Sequence, residues 1–257
     1  MHPILFELGP LTLRSYGLAM ALSFILGIGL AVRLNRRAGR PDEAILDLAT
    51  WIMVGAVLGA RALYVIVMWP EFAAASGWHQ LYNIVAVWNG GLVYYGGLIG
   101  AGLTAYAWLR WQKLPAWAYG DVLAPGLALG QVTGRLGCWF NGCCYGREDA
   151  VHGVVFPSLN DNIPHLPTML YEALFCLGLA AALTGLWPRR RFDGQIFWLY
   201  VLLYAIWRFG IEFLRGDAER GTLISSALSP SQWISLVAAA LAAGMLLRLS
   251  RAAKRLA

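Results

Sequence analysis

The stretch 13–40, LRSYGLAMALSFILGIGLAVRLNRRAGR, decides the fold class. An apolar run through residue 34, long enough to cross a hydrocarbon core of about 30 Å as a helix, leads into Arg33, Arg36, Arg37 and Arg40. Six more runs of spanning length follow, at 45–68, 91–109, 117–137, 168–187, 195–214 and 230–249. Seven helices of about 20 residues use roughly 140 residues, which leaves over a hundred of the 257 for loops and termini. The expectation is an all-α polytopic membrane protein, one transmembrane domain over 1–257. A semi-polar, Trp-bearing interfacial arm is placed at 69–90 and an outward-facing cap at 138–167.

Composition agrees. Hydrophobic residues make up 59% and charged residues 13%, with a mean hydropathy of +0.57. A soluble domain carries about 25% charged residues, so this chain lacks the charge to cover a water-facing surface. Intrinsic disorder is excluded on the same ground. A formal charge of +6 and a pI near 9.3 would suggest nucleic acid in a soluble protein; here the basic residues orient the chain instead. The N-terminus has no basic region ahead of its first apolar run and no small-residue cleavage site, so no cleaved signal peptide is expected.

Basic residues cluster on alternate sides of the spans. Arg33, Arg36, Arg37 and Arg40 follow the first, Arg110 and Lys113 the third, Arg189, Arg190 and Arg191 the fifth, and Arg248, Arg251, Lys254 and Arg255 the seventh. These are 13 of the 20 Lys and Arg, all on one side. The positive-inside rule makes that side cytoplasmic, with the N-terminus and the 69–90, 138–167 and 215–229 segments outside. Trp69, Trp88, Trp108, Trp111, Trp117, Trp139, Trp187 and Trp233 fall near span ends, as an interfacial belt requires. Gly55/Gly59, Gly96/Gly100 and Gly126/Gly130/Gly134 recur at four-residue spacing, which favours close helix packing over a glycine-lined ligand groove.

Seven basic residues remain: Arg14, Arg61, Arg135, Arg147, Arg208, Arg215 and Arg220. Arg61, Arg135 and Arg208 lie in or at the edge of spans, as do Asp121, Glu172 and Glu212. Each costs about 2.5–3.5 kcal/mol mid-bilayer even on lenient scales, so such groups are paired inside a bundle and commonly functional. Ion pairs that only hold helices together are the alternative. Arg208 and Glu212, four apart, share a helix face, and Arg215 follows within a turn. Guanidiniums near the outer leaflet suit a phosphate, such as a phospholipid headgroup.

The segment GRLGCWFNGCCYGR, 134–147, resembles the signature of bacterial prolipoprotein diacylglyceryl transferases, G-R-x-G-N-F-x-N-G-E-x-x-G-R. The likeness runs along the chain. LGPLTLRSYGL (8–18) is similar to the family's opening, GARALYV (59–65) to its second-span motif and NGGLVYYGGLIG (89–100) to its glycine-rich third span. LPTMLYEAL (166–174), WRFGIEFLRGD (207–217) and LSPSQWIS (228–235) are similar to its later motifs. The resemblance implies transfer of the diacylglyceryl group of phosphatidylglycerol to the lipobox cysteine of a prolipoprotein signal peptide. A thioether forms and glycerol phosphate leaves, at the outer face of the bacterial inner membrane. It implies the lipid bilayer as surroundings, no nucleic acid partner, no metal and no organic cofactor.

The resemblance also assigns roles. Arg135 grips the phosphate and Arg208 is the second cationic clamp. Glu212 orients an arginine or accepts a proton. Tyr16, Asn141, Gly142, Gly146, Gly96 and Gly97 shape the substrate site; Arg215 binds or gates the headgroup. Arg61 joins the substrate-binding set, with helix pairing as an equal alternative for it and for Glu172.

Two departures stand out. Tyr95 occupies the place where family members often have His, a candidate base. His79, His152 and His165 lie in outward loops and His2 is terminal. A phenol with pKa near 10 is a poor base, whereas a thiol near 8.5 can be acidified by nearby cations. Tyr95 is therefore expected to donate a hydrogen bond while cationic electrostatics carry the chemistry. Cys138 and Cys143 replace the signature's Asn and Glu, with Cys144 adjacent. C-x4-C-C is not a standard zinc spacing, and an outer face is oxidising. Structural thiols or a disulfide among these three come first, a bound metal or a reactive thiol after. A same-fold paralogue with another acceptor, or a lipid transporter, are the rival functions; no internal repeat of the transporter kind is present.

Overall fold

A computed structural model describes residues 1–8, 11–73, 77–216 and 228–256. The chain falls into two compact units, Met1–Leu34 with Trp117–Ala257, and Asn35–Ala116. Helices stand at all seven expected places: α1 (Ser15–Arg37), α2 (Glu43–Val67), α5 (Tyr94–Trp111), α6 (Ala116–Asn141), α7 (Thr168–Leu186), α8 (Gln195–Ile211) and α9 (Pro230–Leu256). Between α2 and α5 lie two short helices, α3 (Trp69–Ala73) and α4 (Gly77–Val85). Five helical segments, containing α1, α2, α7, α8 and α9, are long and apolar enough to cross a membrane. The polar Asp121, Gln131 and Arg135 interrupt α6, and Tyr and Gly dilute α5.

The apolar side chains of these helices face outward in quantity. Ile25 and Ile66 are about two-thirds exposed, and Leu58, Leu174 and Leu241 are also open. Apolar belts of this size are stable in lipid, not water. The protein is a multi-pass membrane protein.

The all-α expectation holds for the frame of the protein. Two antiparallel ribbons accompany the helices: β1 (Ile4–Leu8) with β2 (Leu11–Arg14), and β3 (Val154–Val155) with β4 (Pro164–His165). The first removes residues 13 and 14 from the expected first span. The run ILFEL-GP-LTLR contains its own signal, a Gly-Pro break between two strand-like segments, which apolar counting passes over. The second ribbon belongs to the expected 138–167 segment, where Asp149 accepts from the Val151 and His152 amides at 2.9 and 2.8 Å. These bonds hold its carboxyl below the usual carboxylate range. Arg220 and most of the 215–229 segment lie outside the described residues.

The four-residue glycine spacing is a packing device. In the first unit a Cβ on Gly126 would sit 2.4 Å from the Gly27 carbonyl oxygen, and one on Gly137 2.7 Å from the Ala19 Cβ, so α1 lies directly on α6. In the second unit α2 and α5 meet the same way: a Cβ on Gly59 would be 2.4 Å from the Gly96 oxygen, and one on Gly100 2.2 Å from the Gly55 oxygen. Only hydrogen at Cα permits this approach, and dispersion between close backbones replaces the hydrophobic effect that lipid cannot supply. Gly59→Leu should therefore force α2 from α5 and cost on the order of 1–3 kcal/mol, read as a lowered melting temperature in detergent. Gly29→Ala, whose Cβ meets nothing within 4 Å, should leave it unchanged or slightly raised.

Candidate active site

Three helices of the first unit converge on two arginine–glutamate pairs. Arg135, near the end of α6, donates from Nη2 to Glu172 Oε1 of α7 at 2.7 Å. The Tyr204 hydroxyl of α8 donates to the same oxygen at 2.8 Å. Glu172 is buried, and a carboxylate there is tolerable because a cation and a phenol both address it. Tyr204 was not foreseen as a site residue; its signal was its place one turn before Arg208 on the same face of α8.

Arg208 donates from Nη2 to Glu212 Oε2 at 2.9 Å. The Ser229 hydroxyl donates to the other oxygen, Oε1, at 2.8 Å. Glu212 thus orients Arg208 from the short 3₁₀ turn Glu212–Leu214 that follows α8. Among the described residues, Nη1 of Arg208 is buried with no hydrogen-bond partner. A buried guanidinium nitrogen left without an acceptor is costly, and an anionic oxygen would remove the cost.

The signature segment is shaped by its backbone. At the end of α6 the Gly142 amide donates to the Trp139 carbonyl at 3.2 Å and the Cys143 amide to Cys138 at 3.1 Å. With Gly142 at φ +69° this is a Schellman termination, which favours glycine. The Ser158 hydroxyl donates to the Gly142 carbonyl at 2.7 Å, and the Cys143 thiol to the Cys138 carbonyl at 3.8 Å. Gly146 pairs in an isolated bridge with Arg215, tying the segment to the chain after α8. A Cβ on Gly146 would lie 2.5 Å from the Leu214 carbonyl oxygen, so only glycine fits. Tyr16, at the start of α1, is partly exposed and lies within electrostatic range of the three cysteines and Arg135. All four cysteines are free thiols in this structure.

Arg135, Arg208, Glu212, Tyr16, Asn141, Gly142, Gly146 and Arg215 thus belong to the first unit; Arg61, Tyr95, Gly96 and Gly97 belong to the second. There, Arg61 is buried and spends its donors on backbone: Nε to the Ile84 carbonyl at 2.9 Å, Nη1 to Gly90 and Gly91 at 2.6 and 3.1 Å, and Nη2 to Asn83. It pins the loop that leads into α5. Gly96 is buried against α2, where a Cβ would be 2.4 Å from the Gly59 oxygen, and Gly97 lies beside Ala56. Tyr95 stands exposed in the first turn of α5, its ring edge-on to Tyr94 at 5.7 Å between centroids.

Asp121 is the intramembrane charge with a structural explanation. Fully buried on α6, it accepts from the Gly194 and Phe197 amides at 2.8 and 2.9 Å, satisfying the first turn of α8. An apolar groove of about 570 Å³ lies between α7 and α8, lined by Tyr171, Leu174, Phe175, Leu203 and Trp207 among others. Phe175 and Trp207 stack face to face at 4.4 Å.

The family model for prolipoprotein diacylglyceryl transferase matches residues 3–248. A phosphatidylglycerol–prolipoprotein diacylglyceryl transferase of Thermosynechococcus vestitus is 36% identical, covering 95% of this chain and 91% of that protein. Proteins of the same name from Nostoc sp. and Bacillus licheniformis are each 33% identical, over 93% and 96% of this chain and 86% and 92% of theirs. The chain belongs to the prolipoprotein diacylglyceryl transferase family.

Proposed function

We propose that this protein transfers the diacylglyceryl group of phosphatidylglycerol to the lipobox cysteine thiol of a prolipoprotein signal peptide. The observation that carries the reading is the buried, unpartnered Nη1 of Arg208, held by Glu212 in the same unit as the Arg135–Glu172 pair. In the reaction the lipobox sulfur attacks the glycerol carbon and a C–S bond forms. The bond from that carbon to the phosphate oxygen breaks, and its electron pair leaves on glycerol phosphate. The phosphodiester carries one negative charge and the departing phosphate monoester two, while the thiol proton goes to solvent or to that phosphate. Cations at the phosphate therefore stabilise the transition state more than the bound lipid, the condition for a faster chemical step.

Within this reading Arg208 and Arg135 bind the phosphate and Glu212 positions Arg208. Tyr16, Asn141, Gly142, Gly146 and Arg215 border the headgroup, and the Phe175–Trp207 groove takes an acyl chain. Arg61 acts by positioning the Gly90–Gly91 turn, with Gly96 and Gly97 as packing points, and Tyr95 donates a hydrogen bond rather than accepting the proton. The α5 and α6 helices complete seven spans, N-terminus outside, C-terminus inside. The 69–90 arm and 138–167 cap lie on the outer side of the inner membrane, as the 13 clustered basic residues favour.

Purified protein incubated with phosphatidylglycerol and a lipobox peptide should add one diacylglyceryl mass to the peptide. No gain, under conditions where a relative works, or lipid movement without it, overturns the reading in favour of the paralogue or the transporter. Arg208→Ala and Arg135→Ala should each lower the rate at saturating lipid by about 100-fold or more. Arg135→Lys should lose about tenfold or more, since an ammonium keeps the charge but not the fork. Tyr95→Phe should retain most activity; complete loss at the chemical step, with Arg135→Lys unaffected, would overturn the electrostatic assignment. A reporter fused after Ala257 should be active only if cytoplasmic, and one inserted near Val151 only if exported.

A further inference from the structure

The signature's cysteines have no part in the transfer derived above. Cys138, Cys143 and Cys144 bring their three sulfurs within 4.8 Å of one another. The backbone makes this placement. The Schellman turn at Gly142 reverses the chain over the last turn of α6, and Cys144 adopts a left-handed φ of +65°, which returns its side chain toward Cys138. A non-glycine residue in that region costs of order 1–3 kcal/mol unless its surroundings hold it, a feature found at ligand clamps. Here the Thr168 hydroxyl, donating to the Cys144 carbonyl at 2.9 Å, does so. Cys138 is buried while Cys143 and Cys144 are half-buried, so the cluster has one open side for entry. Phe156, Trp139 and Tyr145 pack around it and limit water.

We propose that Cys138, Cys143 and Cys144 form a three-sulfur binding site for a thiophilic d10 metal ion, Cu(I) or Zn(II). With metal–sulfur bonds of about 2.3 Å, trigonal or tetrahedral coordination sets sulfurs about 3.8–4.0 Å apart, a spacing that the cluster accommodates without unfolding the turn. Soft thiolates select these ions over Mg(II) or Ca(II). Each ligating thiol gives its proton to solvent as the metal–sulfur bond forms. Arg215 offsets the net negative charge of the loaded site. Zn(II) would complete four-coordination with a water on the open side, and Cu(I) would remain trigonal. Bound metal would staple the loop 138–144 to the end of α6, beside Asn141 and Gly142.

The full chain, purified in detergent under reductant and freed of metal, decides this. Cd(II), added as an optical probe, should produce sulfur-to-metal charge-transfer absorption saturating at one ion per chain. Zn(II) and Cu(I) should displace it in separate titrations, and the tighter of the two names the resident ion. On a Cys176→Ser background, Zn(II) should protect three thiols from maleimide, and a chelator should restore them. Cys143→Ser and Cys144→Ser, checked for unchanged elution on size exclusion, should each weaken Cd(II) binding about 100-fold or more. No uptake by the reduced chain, equal uptake by the triple serine variant, or thiols that reappear only on adding reductant would overturn the proposal. The last result would assign the cluster to a disulfide. None of these readouts depends on transferase activity, so the two readings fail separately.

Discussion

A charge inside a lipid-embedded bundle must find its partner within the protein, and the first unit's site is organised by that requirement. Glu172 is buried deep on α7, and a bare carboxylate there would be untenable. It is stable because Arg135 of α6 and Tyr204 of α8 both address it, at 2.7 and 2.8 Å. The same two bonds that neutralise the carboxylate tie three helices together. They also hold one guanidinium rigid. Removing either charged partner leaves the other desolvated and unpaired.

The second pair differs in a way that bears on function. Glu212 is addressed on both oxygens, by Arg208 and by Ser229, while among the described residues Arg208 keeps one buried donor without an acceptor. Under the proposed function, Glu212 steadies Arg208 and the remaining donor is the one a phosphate oxygen would meet. Arg61 shows the opposite case. Its donors end on the carbonyls of Asn83, Ile84, Gly90 and Gly91. Two intramembrane arginines of equal hydropathic cost are therefore placed differently: Arg61 holds a loop, and Arg208 pairs with Glu212.

Small residues supply the remaining order. Gly27 on Gly126, and Gly59 between Gly96 and Gly100, set backbones in direct contact, and the resulting rigidity keeps side chains such as Arg135 where the chemistry needs them. The cap follows the same economy. Gly146 lets the signature segment pass against Leu214 and pair with Arg215, so the loop after α6 and the chain after α8 are one local structure.

The sequence by itself determined where the helices lie, which loops carry the basic clusters, and the family, because hydropathy and charge are properties of each residue summed along a window. The Arg208–Glu212 pair was legible too, since i,i+4 spacing fixes a helix face. Only the tertiary structure decided the rest. Asp121 satisfies the start of α8 from 73 residues away, Tyr204 joins Arg135 on Glu172, Arg61 turns to carbonyls, and C-x4-C-C becomes a cluster through two left-handed residues. Each of these depends on distances between groups remote in the chain or on a backbone reversal. Such distances arise only when helices pack and a turn closes, and no one-dimensional pattern encodes them.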